Sequence, residues 1–174
     1  MTEYKLGRLA GLSLSARPSA VAGTIVLWAI LVAIGAGPLG LLVGTAIVAG
    51  LAAVALHWAS ELLHQLGHAW AARRVGYPMF GVRAWGVLSA SVYPPDEPAL
   101  PGRIHIRRAL GGPFASLLVT LVAGTLALAL RPLGGAIWWL ALFCCLENLL
   151  VFTLGSLLPL GFNDGSTLLR WWGK

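Results

Sequence analysis

Four apolar blocks follow one another along the chain, and short polar stretches separate them. Residues 20–37 are apolar throughout, and residues 109–130 and 136–159 form two further blocks. The second block, residues 39–72, is interrupted only by His57, Glu61, His64, Gln65 and His68. About 20 apolar residues in a helix cross the hydrocarbon core of a bilayer. The pattern therefore predicts about four transmembrane helices.

Between the second and third blocks the pattern changes. Gly76-Tyr77-Pro78 ends the helix, and residues 80–93 alternate and are rich in β-prone residues around a central glycine, which predicts a small β-hairpin. Strands cannot face lipid, so this insertion is expected to lie against protein or a water-filled cavity. The predicted fold class is an all-α membrane protein with this one β insertion. Residues 1–19 are interpreted as a polar, basic leader, and residues 1–174 as a single membrane-embedded unit.

Composition and charge support the membrane class. The chain is 58% hydrophobic and only 10% charged, whereas soluble domains carry about 25% charged residues. The 12 Lys and Arg residues fall between the apolar blocks and do not form the basic face that nucleic-acid binding requires. The expected partner surface is therefore a lipid bilayer, and no nucleic acid is expected. Cys144 and Cys145 are adjacent inside an apolar block, so no disulfide framework is predicted.

The distribution of basic residues predicts the orientation. With four spans, residues 1–19, 73–108 and 160–174 lie on one side and hold eleven Lys and Arg, while the other side holds only Arg131. Because cytoplasmic loops carry the excess of basic residues, both termini are expected in the cytoplasm of a multi-pass protein, in a prokaryotic inner membrane.

The polar residues of the second block form the candidate site. His57, Glu61, His64 and His68 are spaced by 4, 3 and 4 residues, which places them on one helix face. Ionisable side chains inside a span are functional candidates by default. His64 and His68, four residues apart, can both reach one metal ion, so the stripe predicts a metal or proton site.

Depth in the membrane brings a third ligand to the two histidines. His64 lies nine residues before Arg73, about 13 Å along the helix from the cytoplasmic edge. Asp164 follows Pro159 at the cytoplasmic end of the fourth block, so it can meet the histidines in the same leaflet. Two histidines and one carboxylate are typical of catalytic zinc sites with an open fourth position.

Two motifs resemble the site-2 protease family of intramembrane zinc metalloproteases. His64-Gln65-Leu66-Gly67-His68 resembles the HExxH helix of that family, and residues 157–165 resemble its LLPxxPLDG region, which supplies the third zinc ligand. Gly112-Pro113 resembles a further family feature, so that the match covers roughly residues 55–170. The resemblance implies a minimal four-span core in which His64, His68 and Asp164 hold Zn²⁺.

The resemblance also implies a substrate and its contacts. The expected substrate is a transmembrane protein, such as an anti-sigma factor, a transcription-factor precursor or a signal-peptide remnant. Family strands can hold the substrate as an added strand, which suggests Val82, Ala84 and Gly86 as substrate-binding residues. Asn148 is a candidate for the same role, with plain hydrogen bonding between helices as the alternative. Glu61 is expected to partner a ligand histidine rather than to replace the catalytic base.

The chain departs from the family pattern at Gln65, where the family has the catalytic Glu. A neutral amide is nearly isosteric with Glu but cannot accept a proton at neutral pH, so intact metal binding and strongly reduced hydrolysis are expected. Phe162-Asn163 and Ser116 also differ from the family motifs.

Two explanations of Gln65 are open. One is a deliberate Glu→Gln change that traps a substrate or stops self-digestion. The other is a natural homologue that binds membrane proteins without cutting them. The intact ligands favour the first, because loss of catalysis usually relaxes metal ligands as well.

Two further functions would use the same stripe. A transporter or proton channel could use it as a relay, although no repeated halves are visible. A bis-histidine haem site is a third possibility, and it would leave Asp164 without a role.

Overall fold

The chain folds into five helices and four short strands in the computed structural model, which describes residues 2–174. The strands are β1 (Tyr4–Leu9), β2 (Leu12–Ala16), β3 (Gly81–Trp85) and β4 (Leu88–Val92). The helices are α1 (Pro18–Ala36), α2 (Val43–Arg74), α3 (Gly102–Leu130), α4 (Gly135–Glu147) and α5 (Asp164–Trp171). A 3-10 turn (Arg131–Leu133) links α3 to α4, and α4 continues as π-helical turns (Asn148–Gly155).

The four predicted spans are confirmed. Four helices are long and apolar enough to cross a membrane: α1, α2, α3 with its 3-10 turn, and α4 with its π-helical turns. Large apolar side chains stay exposed along their outer faces, among them Ile25, Leu51, Leu121 and Leu154, as lipid-facing surfaces require. The third helix begins at Gly102, seven residues before the predicted block, so Gly111-Gly112-Pro113 lies inside it.

Residues 1–19, interpreted from the sequence as a polar, basic leader, contain two strands and the first residues of α1. Residues Tyr4–Leu9 and Leu12–Ala16 form an antiparallel hairpin whose turn, Ala10 and Gly11, has φ of 50° and 82°. Positive φ at both central residues is the geometry of the tight hairpin turn. Leu12 is only 1% exposed and packs with Ala69 and Met79, so α2 supplies the tertiary contact that orders this hairpin.

The predicted hairpin at residues 80–93 is confirmed and completes the sheet. The strand order is β1-β2-β3-β4, with β2 and β3 parallel and the other pairs antiparallel. The strand β3 is therefore central and paired on both edges. The strand β4 is an edge strand, and its outer edge faces α2.

A close crossing of α2 and α3 positions the residues that bear the chemistry. A Cβ atom at Gly67 would overlap the carbonyl of Gly111, and a Cβ atom at Gly111 would overlap the carbonyl of Gly67. The two backbones touch at this point, as small residues permit in membrane helices. One residue further along, Gly112 faces the imidazole rings of His64 and His68.

This crossing makes a stability prediction. Gly111→Ala should destabilise the protein by about 1–3 kcal/mol, because the added methyl group forces α2 and α3 apart. Gly44→Ala is the matched control, since a Cβ atom at Gly44 of α2 has no neighbour within 4 Å and Ala favours the helix. Thermal unfolding in detergent micelles measures both variants. Equal stability of the two would show that the backbones are not in contact.

Candidate metal centre

Helix α2 carries two histidines whose rings meet. His64 and His68 are each 5% exposed, and their Nε2 atoms are 3.1 Å apart. The i and i+4 positions stack the two residues on one face of the helix. Both Nε2 atoms therefore point to one place beside α3.

Helix α3 fixes the orientation of both rings. The Nδ1 atom of His68 lies 2.8 Å from the carbonyl oxygen of Arg108, and because a carbonyl only accepts, Nδ1 carries the proton. The Nδ1 atom of His64 lies 2.9 Å from the hydroxyl of Ser116, which can accept in the same way. Both Nε2 atoms are then left with free lone pairs, the arrangement that metal-ligating histidines adopt.

The third group is Asp164, at the N-terminus of α5. Its carboxylate oxygens lie 3.4 Å from Nε2 of His64 and 3.4 Å from Nε2 of His68. Burial alone would raise the pKa of Asp164, but hydrogen bonds and positive charge from His64 and His68, when protonated at Nε2 in the absence of a metal, outweigh burial and hold the pKa below its ordinary value. Asp164 is thus an anionic group at neutral pH.

The loop before α5 is shaped to deliver this carboxylate. A Cβ atom at Gly165 would overlap the carbonyl of Leu157, so the glycine lets the loop fold tightly onto the end of the fourth span. The side chain of Asn163 caps α5 by accepting from the backbone N–H of Ser166, and its amide donates to the carbonyl of Gly155 at 3.3 Å. The Asn at this position, which departs from the family motif, therefore fastens the loop.

The three groups fit a metal ion. One ligand atom from each of His64, His68 and Asp164 lies within 4.8 Å of the others. Metal–ligand bonds of 2.0–2.2 Å in a tetrahedron place ligand atoms roughly 3.3–3.6 Å apart, close to the separations of 3.1 to 3.4 Å found here. A Cβ atom at Gly112 would overlap both Nε2 atoms, so glycine keeps this cradle open.

A cavity of about 630 Å³ adjoins the three groups. One wall is β4 with Ser89, Ala90 and Ser91, and the opposite wall is the π-helical end of the fourth span. Arg108 also lines the cavity, and its guanidinium donates to Glu97 at 2.9 Å and to the carbonyl of Tyr77 at 2.7 Å. Arg108 thus ties the loop of residues 94–101, which carries Glu97, to the helix whose carbonyl orients His68.

The polar stripe of α2 divides between two neighbours. His64 and His68 face α3 and Asp164, but Glu61 and Gln65 face β4. Glu61 accepts from the backbone N–H and the hydroxyl of Ser89. The Gln65 amide donates to the carbonyl of Ser89 at 3.2 Å and accepts from the hydroxyl of Ser91 at 2.7 Å.

His57, the first residue of the stripe, joins three elements. Its Nδ1 atom lies 2.7 Å from a carboxylate oxygen of Glu147, and its Nε2 atom lies 2.7 Å from the carbonyl of Val87. His57 and Glu147 are therefore a buried pair that links α2, α4 and the second hairpin.

Some predicted site residues occupy other places. Glu61 forms no hydrogen bond to either ligand histidine, because it bonds Ser89 while Ser116 and the Arg108 carbonyl bond the histidines. The predicted role of Glu61 as a histidine partner is therefore not borne out. Val82 and Ala84 lie on the central strand β3, and Gly86 is in the turn, so none of the three offers a free strand edge. The predicted substrate contacts at these residues lose their structural basis.

Asn148 is fully buried and does not line the cavity. Its amide donates to the hydroxyl of Ser60 and to the carbonyl of Cys144, each at 2.8 Å. This is the plain hydrogen bonding between helices that the sequence left as an alternative, and the predicted substrate contact is not supported.

The sequence analysis did not predict several residues of the site. Ser116 and Arg108 act on the histidines from α3, Gly112 holds the cradle open, and Ser89 and Ser91 form the wall of the cavity. The alternation Leu88-Ser89-Ala90-Ser91-Val92 is typical of a strand with one polar face, and this alternation is the sequence signal for the two serines. Ser116 follows the Gly112-Pro113 pair that resembles a family feature, but its residue type departs from the family motif and gives no sign of a role.

The partner of His64 gives the next prediction. Ser116→Ala removes the group that orients His64 and should weaken metal affinity by about 10–100-fold, measured by competition with a zinc chelator. Thr125→Ala is the matched control, because the Thr125 hydroxyl only bonds the carbonyl of Leu121 on an exposed face of the same helix. Unchanged affinity in Ser116→Ala would remove Ser116 from the metal site.

The comparison with known structures agrees at the level of the fold. The chain is similar to a solved structure described as Site-2 Protease from Methanocaldococcus jannaschii, with a TM-score of 0.66 and 15% sequence identity. The similarity covers 97% of this chain and 70% of that chain. No protein-family model and no curated protein matches the sequence. The predicted resemblance is thereby confirmed as a fold: a multi-pass membrane protein with the architecture of a site-2 protease.

Proposed function

We propose that this chain is an intramembrane zinc metalloprotease core that acts on transmembrane segments, in a form whose hydrolysis is strongly reduced by Gln65. The observation that carries the proposal is the convergence of His64, His68 and Asp164 beside a cavity in a helix bundle of site-2 protease fold. Three protein ligands with an open position are typical of catalytic rather than structural zinc.

Each group of residues in the site has a distinct role in the proposed reaction. His64, His68 and Asp164 would hold zinc, which would supply a Lewis acid for activating water and polarising a peptide carbonyl. His64 and His68 are oriented by Ser116 and by the Arg108 carbonyl, and Asp164 brings negative charge from the cytoplasmic end. The cavity between β4 and the π-helical end of the fourth span has room for an unwound stretch of polypeptide.

Gln65 occupies the position of the general base. Its amide has no protonation equilibrium near neutral pH, and both of its polar groups are engaged with β4. General-base catalysis contributes about 10²–10⁴-fold to a rate, which sets the expected loss. Glu61 bonds Ser89, and nothing in its contacts favours it as a substitute.

The substrate class we propose is a single transmembrane segment of another membrane protein. Anti-sigma factors, transcription-factor precursors and signal-peptide remnants are candidates, because each presents such a segment. The orientation we propose places both termini and the sheet in the cytoplasm, since eleven of the 12 basic residues belong to that side.

The metal assignment predicts a stoichiometry. The purified chain should hold about one zinc per chain by elemental analysis, because three ligands converge on one point. His64→Ala and Asp164→Ala should each lose it, while His105→Ala, a histidine outside the three-ligand group, should retain it. A chain that binds no zinc under any loading condition would contradict the proposal.

Restoring the base predicts a gain of activity. Gln65→Glu should raise cleavage of single-span reporter proteins by about 100-fold or more, and 1,10-phenanthroline should block it. The control is His64→Ala in the Gln65→Glu background, which should be inert. Cleavage is read as a shortened reporter fragment on a gel, with its new terminus defined by mass spectrometry.

A second function is favoured by the contacts of Gln65. Because the amide is fully engaged by Ser89 and Ser91, a non-catalytic homologue that binds membrane proteins without cutting them fits the same geometry. Gln65→Glu distinguishes the two functions. A variant that keeps its zinc yet leaves every reporter intact would favour the non-catalytic homologue.

A further inference from the structure

The outer edge of β4 is occupied by side chains rather than by another strand. His57 Nε2 lies 2.7 Å from the carbonyl of Val87, Glu61 accepts from the N–H of Ser89, and Gln65 donates to the carbonyl of Ser89. A strand edge that lacks such partners leaves backbone groups unsatisfied. Inside a membrane-embedded cavity those groups would be costly.

The spacing of helix and strand explains why one helix can contact several positions along this edge. His57, Glu61 and Gln65 are four residues apart on α2, a rise of about 6 Å per step. Two residues of a strand rise about 6.6 Å, so Val87, Ser89 and Ser91 recur at nearly the same interval. Successive side chains of α2 therefore meet successive positions along the edge, in the same order.

The chemistry of each contact is matched as well as the spacing. His57 offers an N–H to a carbonyl, and Glu61, which only accepts when ionised, meets the two donors of Ser89. Gln65 meets one acceptor, the carbonyl of Ser89, and one donor, the hydroxyl of Ser91. An amide has both groups, whereas a carboxylate at this position would set an acceptor against the Ser89 carbonyl.

We propose that Gln65 is a positioning residue which, with Glu61 and His57, fastens the edge of β4 to α2 and so fixes the cavity wall relative to the metal ligands. Gln65 is adjacent to His64 in sequence, so the helix that carries the ligands also holds the wall. The Gln65 amide thus contributes to the structure of the site through its hydrogen bonds to Ser89 and Ser91. The attachment depends on neither zinc nor a substrate, so it goes beyond the proposed protease function.

The buried pair of His57 and Glu147 anchors the far end of this row. His57 Nε2 lies 2.7 Å from the Val87 carbonyl and His57 Nδ1 lies 2.7 Å from Glu147, so the ring bridges the hairpin and α4. Both residues are buried in the bundle, so the row of contacts is tied to α4 as well as to α2. The hairpin is then held at Val87 by His57 and at Ser91 by Gln65.

Hydrogen–deuterium exchange of the full chain in nanodiscs tests the proposal. Uptake by residues 86–92 should rise about fivefold in Gln65→Glu and in Ser91→Ala, the effect of losing one hydrogen bond of ordinary strength. Ser91→Thr keeps the hydroxyl and should restore the parent rate. Ser13→Ala is the matched control, because the Ser13 hydroxyl bonds the carbonyl of Phe80 in the same sheet, away from α2.

The outcomes separate the proposal from a general loss of stability. Uptake by α1 serves as the internal reference, and it should stay at the parent value in every variant. Parent-like uptake at residues 86–92 in both Gln65→Glu and Ser91→Ala would overturn the proposal, as would an equal rise in Ser13→Ala. If Gln65→Glu fails to fold, Ser91→Ala with its Ser91→Thr rescue decides alone. Because exchange needs neither cleavage nor metal, its failure leaves the zinc and reporter experiments untouched.

Discussion

Contact between the backbones of α2 and α3 is the constraint on which the candidate site depends. Lipid provides no hydrophobic force between helices, so close packing and hydrogen bonds must hold them together. Gly67 and Gly111 allow the backbones to touch, and Gly112 then stands over the Nε2 atoms of His64 and His68. Only at this distance can Ser116 and the Arg108 carbonyl bond the two rings. The same crossing therefore creates the room for a metal ion and sets the direction of its ligands.

Much of the fold could be predicted because membrane spans leave a strong signal in the sequence. The four spans and the hairpin at residues 80–93 follow from block length and from the change of period. The hairpin at the N-terminus could not be predicted as readily, because two strands of five or six residues are marginal by themselves. Leu12 gains its burial from Ala69 and Met79, residues far along the chain. The order of this segment is thus a tertiary effect.

The three candidate ligands could be predicted from the sequence, but the residues that hydrogen-bond the two histidines could not. His64 and His68 share a helix face by spacing alone, and the depth argument brought Asp164 to them. Their partners depend on how α3 is rotated, which an all-round apolar sequence does not reveal. Adjacent residues on a helix differ by about 100°, so His64 and Gln65 face different neighbours although they touch in sequence. The polar residues of α2 therefore predicted a single site. In the structure they form two groups: His64 and His68 face Asp164, whereas Glu61 and Gln65 bond the edge of β4.

Gln65 connects the ligand set to the edge contact, because it follows His64 on α2 and bonds β4. Its hydrogen bonds bear on why this chain departs from the family motif at this position. A residue left over from a lost function needs no particular partner, whereas this amide has a donor and an acceptor, each matched by an opposite group on β4. The residue is 3% exposed, and an unmatched polar group at that depth would cost about 1–3 kcal/mol. These matched hydrogen bonds favour a glutamine that has a structural role at this position over one that is merely left after loss of function. In the proposed function, it also explains how the three candidate ligands and the cavity can stay intact without a general base at position 65, because the hydrogen bonds that stabilise the wall use the amide itself.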